Sequence, residues 1–382
     1  MISKIDSFDP DNEIDRNSLE NSKNLILNTI KKINLDLTGY VVLTEAATGH
    51  WLYTPLIAAL ANASKVICFT KDSRHGKASD IIRNFKNITK YLDMDNSIKV
   101  YNKINKKLIS QADIVTNSGL LRPINHEFIN SMKRTAVISL MWEPWEYIGQ
   151  DVDIKACWKK GICILGVNES NKILNVMSNA GDVVKKIFEL NKIKIKNRKM
   201  VFVAENKSAP YIVKTLESGG AFVNCVTKTM TNTLRTRFRV IGQDLNDLVV
   251  EPFLKSCNVI LIDSYPLNRM VIGGTKGLCI SKLKKLNPKV KVVVYFGKVD
   301  NKTLIKSGIS CYPEKDPGLG RMNWTADILG SKVIIELNAL GLKVGELLAF
   351  YRKSGLKQRE AELIALEHPF CADFSKEQRK NF

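Results

Sequence analysis

VVLTEAATGHWLYTPLIAALANASKVICFT occupies positions Val41–Thr70 of this chain. Val41–Thr44 is a continuous apolar run that reads as a strand, and small residues with one glycine follow it. Thr54–Asn62 then carries apolar residues at helical spacing, and Val66–Thr70 is a second strand. Short apolar strands joined by helices argue for a parallel sheet covered on both faces. Working outward, the grammar continues with a helix over Ser79–Leu92 and strands at Ile98–Tyr101 and Ile114–Thr116. A helix over Asn125–Met132 and strands at Ala136–Leu140 and Ile162–Val167 complete the block. A helix over Ser18–Ile33 precedes it, residues 1–17 read as loosely attached, and a long helical stretch over Ser170–Leu190 follows. The pattern restarts with strands at Met200–Ala204, Phe222–Val226, Val259–Ile262 and Val292–Phe296, separated by helices at Tyr211–Leu216, Leu245–Lys255 and Ile280–Leu286. Helices over Ser331–Tyr351 and Gln358–Leu366 end the pattern.

Two such blocks predict an α/β protein of two Rossmann-like domains with parallel sheets, joined by interdomain helices. The expected division is an N-terminal segment and helix over 1–39, a first domain over 40–190, a second over 198–330, and C-terminal helices over 331–382 that pack back on the first. At 382 residues the chain is long enough for two cores. With 45% apolar and 25% charged residues, its composition excludes collagen-like and fully disordered readings. No apolar run approaches the ~20 residues that cross a bilayer, so no membrane partner is expected. The polar, acidic start lacks the features of a secretory signal, and the expectation is a cytoplasmic protein. Eight cysteines without a CxxC pair, most of them in strand-like runs, read as buried free thiols and not as a metal site. The formal charge is +20, but only 14 of the 58 basic residues are arginine and the lysines are spread along the chain. That distribution argues against nucleic acid and suits a small anionic metabolite. A homodimer is left open.

Several stretches resemble the superfamily of D-isomer-specific 2-hydroxyacid dehydrogenases and the NAD domain of adenosylhomocysteine hydrolase. Ala112–Ser139 is similar to a hydrolase pattern of strand, small-residue turn and HxFxxxMK-like helix, matched at His126, Phe128, Met132 and Lys133. Val152–Ser170 looks like the dehydrogenase segment D-x-x-A-x-x-x-x-G-I-x-V, with Ile164 in the final place. Residues 277–304 look like the dehydrogenase stretch that ends in a strand and a V-D-x-x-x-L helix. The resemblance implies a double-Rossmann fold and nicotinamide-linked chemistry. Where that family carries its dinucleotide fingerprint, this chain reads Val203–Pro210, VAENKSAP, without a glycine. The family's arginine falls near Tyr295–Lys298 and its histidine near Arg321–Trp324, and neither residue is present at the matching place.

Block one offers the better nucleotide site. Thr44 ends a strand, and Gly49 opens a helix whose N-terminus presents free N–H groups to an anion. Asp72 lies close to the ~20-residue spacing of an acid that holds ribose hydroxyls, and Ser73 with Arg74 could instead grip a 2′-phosphate. Asn117, Ser118 and Gly119 form a second small-residue turn on the cofactor side. The same outline also suits an S-adenosylmethionine-type nucleotide. His50, at a helix start that favours the neutral imidazole, is a candidate general base or electrophile, or else an ordinary packing histidine. Glu143, beside Trp142 and Trp145, is the candidate carboxylate of a substrate wall, or else part of a domain-interface plug. Arg122 and Arg321 are candidate clamps for an anionic substrate, with Trp142 and Asn323 beside them. The expected function is an NAD(P)-dependent oxidoreductase-like enzyme acting on a small anionic metabolite in an interdomain cleft. The alternatives are a non-redox transferase or lyase, and a catalytically silent binding protein on the same fold.

Overall fold

The computed structural model of the chain describes residues 8–73, 76–147, 149–228, 238–265, 269–314, 323–324 and 326–381. Two compact units emerge. Unit 1 comprises Met1–Val176 with Gly330–Phe382, and unit 2 comprises Met177–Leu329.

Unit 1 is built on strands β1 (Val41–Glu45), β2 (Lys65–Phe69), β3 (Ile98–Tyr101), β4 (Ile114–Thr116), β5 (Val137–Ser139) and β6 (Cys163–Val167). They lie in the order β6-β5-β4-β1-β2-β3, all parallel, and the short strand Cys371–Ala372 adds antiparallel to β6. Leu43 of β1 pairs with Ile67 on one side and Val115 on the other. This is the Rossmann order 3-2-1-4-5-6, in which the chain reverses its winding between β1 and β4. One core gathers Leu43, Ile67, Val115, Ile129, Ile138 and Ile164, which explains why these strands read as unbroken apolar runs. The long helix Ser331–Lys353 covers β4–β6. There Ser139 Oγ donates to the Gly341 carbonyl, and Gly345 lies against Ile114.

Unit 2 repeats the plan with β7 (Lys199–Ala204), β8 (Phe222–Val226), β9 (Val240–Gly242), β10 (Val259–Asp263), β11 (Met270–Ile272), β12 (Lys291–Phe296), β13 (Lys298–Val299) and β14 (Ser310–Tyr312). Its main sheet runs β14-β12-β10-β7-β8-β9, again parallel and again in Rossmann order, while β11 and β13 form a separate pair. Val201, Val203, Ile260, Ile262, Val292 and Val294 are part of its core.

Several sequence expectations shift. Residues 8–17 are not loosely attached: the Phe8 side chain is buried, its N–H donates to Asn84 Oδ1 at 2.7 Å, and the first helix spans Glu13–Ile33. Asn12 starts that helix by accepting the N–H groups of Ile14 and Asp15. The continuous helix read over Ser170–Leu190 is instead a turn, a 3₁₀ segment Val176–Asn179 and a helix Ala180–Leu190. That last helix packs on helix Ala209–Ser218, where a Cβ on Gly181 would meet Thr215 Oγ1 at 2.1 Å. It therefore belongs to unit 2, not to the first domain. Helix Ile154–Lys160, capped by Asp153 and ended by Gly161 at φ 78°, lies between the strands expected at Ala136–Leu140 and Ile162–Val167, where the sequence pattern places no element. Among the described residues no helix is long and apolar enough to cross a membrane.

Candidate functional site

In open parallel sheets ligands bind at the carboxyl ends of the strands, where the winding reverses. In unit 1 that place lies between the ends of β1 and β4. Thr44 Oγ1, fully buried, accepts from Thr116 Oγ1 at 2.8 Å, and Thr116 bonds Ser118 Oγ at 2.7 Å. Glu45, the last residue of β1, is only 7% exposed, and its Oε2 accepts the Leu120 N–H at 2.7 Å. Burial pushes the Glu45 carboxyl above the usual carboxylate range, against the opposing pull of the Leu120 and Gly119 N–H groups, Arg122 and Lys71.

Arg122 follows the 3₁₀ turn Gly119–Leu121. Its Nη1 donates to Asp151 Oδ1 at 2.9 Å, and its guanidinium carbon stands 4.8 Å from the centre of the Trp142 ring. A quarter of the side chain is exposed, while the buried Nε has no hydrogen-bond partner among the described residues. Gly119 leaves room for this: a Cβ there would stand 3.4 Å from Arg122 Nη2 and 3.6 Å from Glu45 Oε2. Asn117, fully buried, accepts the Met141 N–H at 2.8 Å through Oδ1, and its Nδ2 is unpartnered among the described residues. Thr44, Asn117, Ser118, Gly119, Arg122 and Trp142 are thus carried together on the carboxyl side of unit 1.

The other candidates stand differently. Gly49, at φ 63°, opens the 3₁₀ segment Gly49–Leu52 that runs into helix Tyr53–Leu60. His50 is buried, its Nδ1 3.1 Å from Ser331 Oγ, which also bonds the Tyr53 hydroxyl at 2.9 Å. It is tied to the first turn of the long C-terminal helix and does not open to solvent. Glu143, 1% exposed, has Oε2 accepting from Trp145 Nε1 at 2.5 Å and Oε1 from the Glu169 N–H at 3.2 Å. Its carboxylate holds the turn Pro144–Glu146 against β6. Asp72 is exposed, and its Oδ1 accepts the Ala78 N–H at the start of helix Ala78–Tyr91. Ser73 and Gly76 exchange backbone hydrogen bonds of 3.0 and 3.2 Å. Arg74 and Arg321 lie outside the described residues. Asn323 belongs to unit 2, its N–H donating to the Tyr295 carbonyl at 2.9 Å.

Sequence reasoning missed Glu45, and it missed the acids of unit 2. There Glu205 follows β7, accepting Thr227 Oγ1 at 3.1 Å and the Lys228 N–H at 3.0 Å. Asp263 ends β10 with no exposed surface, accepts from Ser208 Oγ, and is raised by burial to about 7. A pyrophosphate needs a bare backbone approach at this turn. Ala204, Asn206 and two buried carboxylates occupy it instead, so unit 2 does not fit a dinucleotide there. The corresponding turn of unit 1 has the left-handed glycine and a helix start. Among the described residues no cluster of His, Cys, Asp and Glu could hold a metal ion.

No protein-family profile and no curated protein matches the chain. Solved structures do. A dipicolinate synthase from Bacillus subtilis aligns with TM-score 0.54 at 12% identity, over 85% of this chain and 100% of the other. The dipicolinate synthase of Bacillus halodurans aligns with TM-score 0.51 at 11% identity, over 80% and 96%. The chain has the double-Rossmann fold. A D-lactate dehydrogenase with NAD+ from Lactobacillus jensenii is a more distant likeness, with TM-score 0.47 at 10% identity, over 81% of this chain and 97% of the other.

Proposed function

We propose that this protein is an NAD(P)-linked oxidoreductase that holds a small anionic metabolite at the carboxyl edge of unit 1. The observation that carries the reading is Arg122: a guanidinium pre-set by Asp151 and Trp142, with a buried Nε still to be satisfied. A guanidinium fixed in this way recognises a planar carboxylate with little ordering cost. The double-Rossmann fold, shared with the two dipicolinate synthases, supports the oxidoreductase class. A nicotinamide dinucleotide would supply the hydride, and the turn Thr48–Gly49 with the helical segment behind it would hold its phosphates. NADH and NADPH binding, followed by quenching of protein fluorescence, tests this. Gly49→Val should abolish binding and Ala204→Val in unit 2 should leave it nearly unchanged; the reverse pattern would move the cofactor to unit 2.

The acids of unit 2 favour a second reading, in which the fold serves a non-redox enzyme or a binding protein. Glu205 lies in the stretch where the resemblance places a fingerprint, and Asp263 meets that stretch through Ser208 Oγ. Absence of any NADH or NADPH binding by the intact protein would select that reading.

A further inference from the structure

We propose that the carboxyl edge of unit 1 is a carboxylate site that takes up one proton with its ligand: Arg122 grips the ligand carboxylate and Glu45 carries the proton. The proposal rests on the anionic-metabolite reading above and adds the ligand class and the proton count. It starts from Gly119, over whose Cα Arg122 Nη2 and Glu45 Oε2 converge. Glu45 Oε2 already accepts the Leu120 N–H there at 2.7 Å.

The charged and titratable groups around it come from four sides. Arg122 belongs to the turn after β4, and Asp151 lies beyond it on the segment after β5. Lys71 follows β2, and the Cys68 thiol lies on β2 itself, where burial and then Glu45 keep it protonated. A ligand carboxylate brings a further negative charge to a guanidinium already paired with Asp151 and within electrostatic reach of Glu45. Asp151 is as buried as Glu45 but holds the direct 2.9 Å ion pair with Arg122, so the charge that yields is the one without a direct counter-ion. Glu45 is more than nine-tenths buried, and desolvation already works against its anion. Once protonated, Glu45 keeps one oxygen to accept the Leu120 N–H and gains an O–H that can donate to the ligand. The balance is closed: site, ligand anion and one solvent proton give the complex, with no bond made or broken in the ligand.

Calorimetry on the full chain with oxalate as probe, in two buffers of unlike ionisation enthalpy, counts the protons directly. Above the pH at which Glu45 ionises in the free protein, oxalate should bind with uptake approaching one proton, and its Kd should rise there towards tenfold per pH unit. Glu45→Gln should abolish the uptake and flatten the pH dependence. Arg122→Lys should weaken oxalate at least tenfold at every pH while uptake persists. Binding without proton uptake at every pH at which the chain stays folded, no binding at millimolar oxalate, equal binding of inorganic phosphate, or a wild-type pH slope in Glu45→Gln would each overturn the proposal. If Glu45→Gln does not fold, the proton count on the wild-type chain still decides. NADH quenching on the same samples separates the two claims: oxalate binding with proton uptake but no NADH binding removes the dinucleotide and leaves this site standing.

Discussion

Asp263 closes β10 with its carboxyl shut away from water, and that placement makes stability depend on pH. Burial raises it from an ordinary 3.8 to about 7, so the folded state holds the proton more tightly than the unfolded chain. Its contribution is therefore full below about 4 and is lost as the pH rises through about 7, after which it stays flat. Asp263→Asn should remove that slope, matching the wild type near pH 4 and exceeding it near pH 8 by on the order of 2–4 kcal/mol; urea unfolding at the two pH values measures it. Arg122 gives a second expectation, because a lysine cannot reproduce its planar donors. Arg122→Lys should weaken an anionic ligand by about 1.5–3 kcal/mol with little loss of Tm, and titration beside thermal unfolding checks both halves. Arg122 could be picked from sequence because arginine is scarce here and this one follows a small-residue turn. Glu45 could not, since it reads as the first residue after a strand ending at Thr44 and only the fold brings Gly119 and Leu120 over it. For His50 and Glu143 the sequence left a packing role open beside a chemical one, and only the fold supplies the partners Ser331 and Glu169 that engage them.

The helix Ser331–Lys353 is legible in the sequence as an element that packs back on the first domain, but how closely it descends is not. Its apolar length predicts a buried element, and in the fold most of it is buried. Gly341 and Gly345 are what let it descend onto the sheet: added Cβ atoms would fall 2.5 Å from Met141 Sδ and 2.5 Å from Ile114 Cγ2. Glycine to alanine inside a helix ordinarily stabilises by about 1 kcal/mol. At Gly345 the clash reverses the sign, since overpacking costs roughly 1–3 kcal/mol. Gly345→Ala should therefore lower stability and Gly345→Val should lower it further, as urea midpoints would report. Most of the main strands were legible because they are short, largely apolar runs buried along nearly their whole length. The small strands β9, β11, β13 and β14 were not, being two or three residues long with no period to detect. The helix read over Ser170–Leu190 failed at Asn168 and Asn171, whose side chains bond nearby backbone N–H groups and hold a turn.

At the scale of the whole molecule, unit 1 is assembled from two separated stretches of chain and unit 2 from one. Unit 2 has its own six-stranded sheet and its own core. A fragment spanning 177–329 should therefore unfold cooperatively by circular dichroism, whereas a chain ending at 329 should lose the unit 1 transition because β4–β6 lack their covering helix. A non-cooperative melt of the fragment would contradict the first expectation. The same arrangement sets a timetable at the ribosome. Synthesis proceeds from the N-terminus at about 5–20 residues per second, so the six parallel strands of unit 1 emerge first and must wait while all of unit 2 is made. Throughout that interval Ile114, Ser139 and Met141 have no helix to rest against, and unit 2 can finish folding before the older half of the molecule is closed. The apolar face left open in the nascent chain is where a holding chaperone would engage, and it disappears when Gly341 and Gly345 arrive.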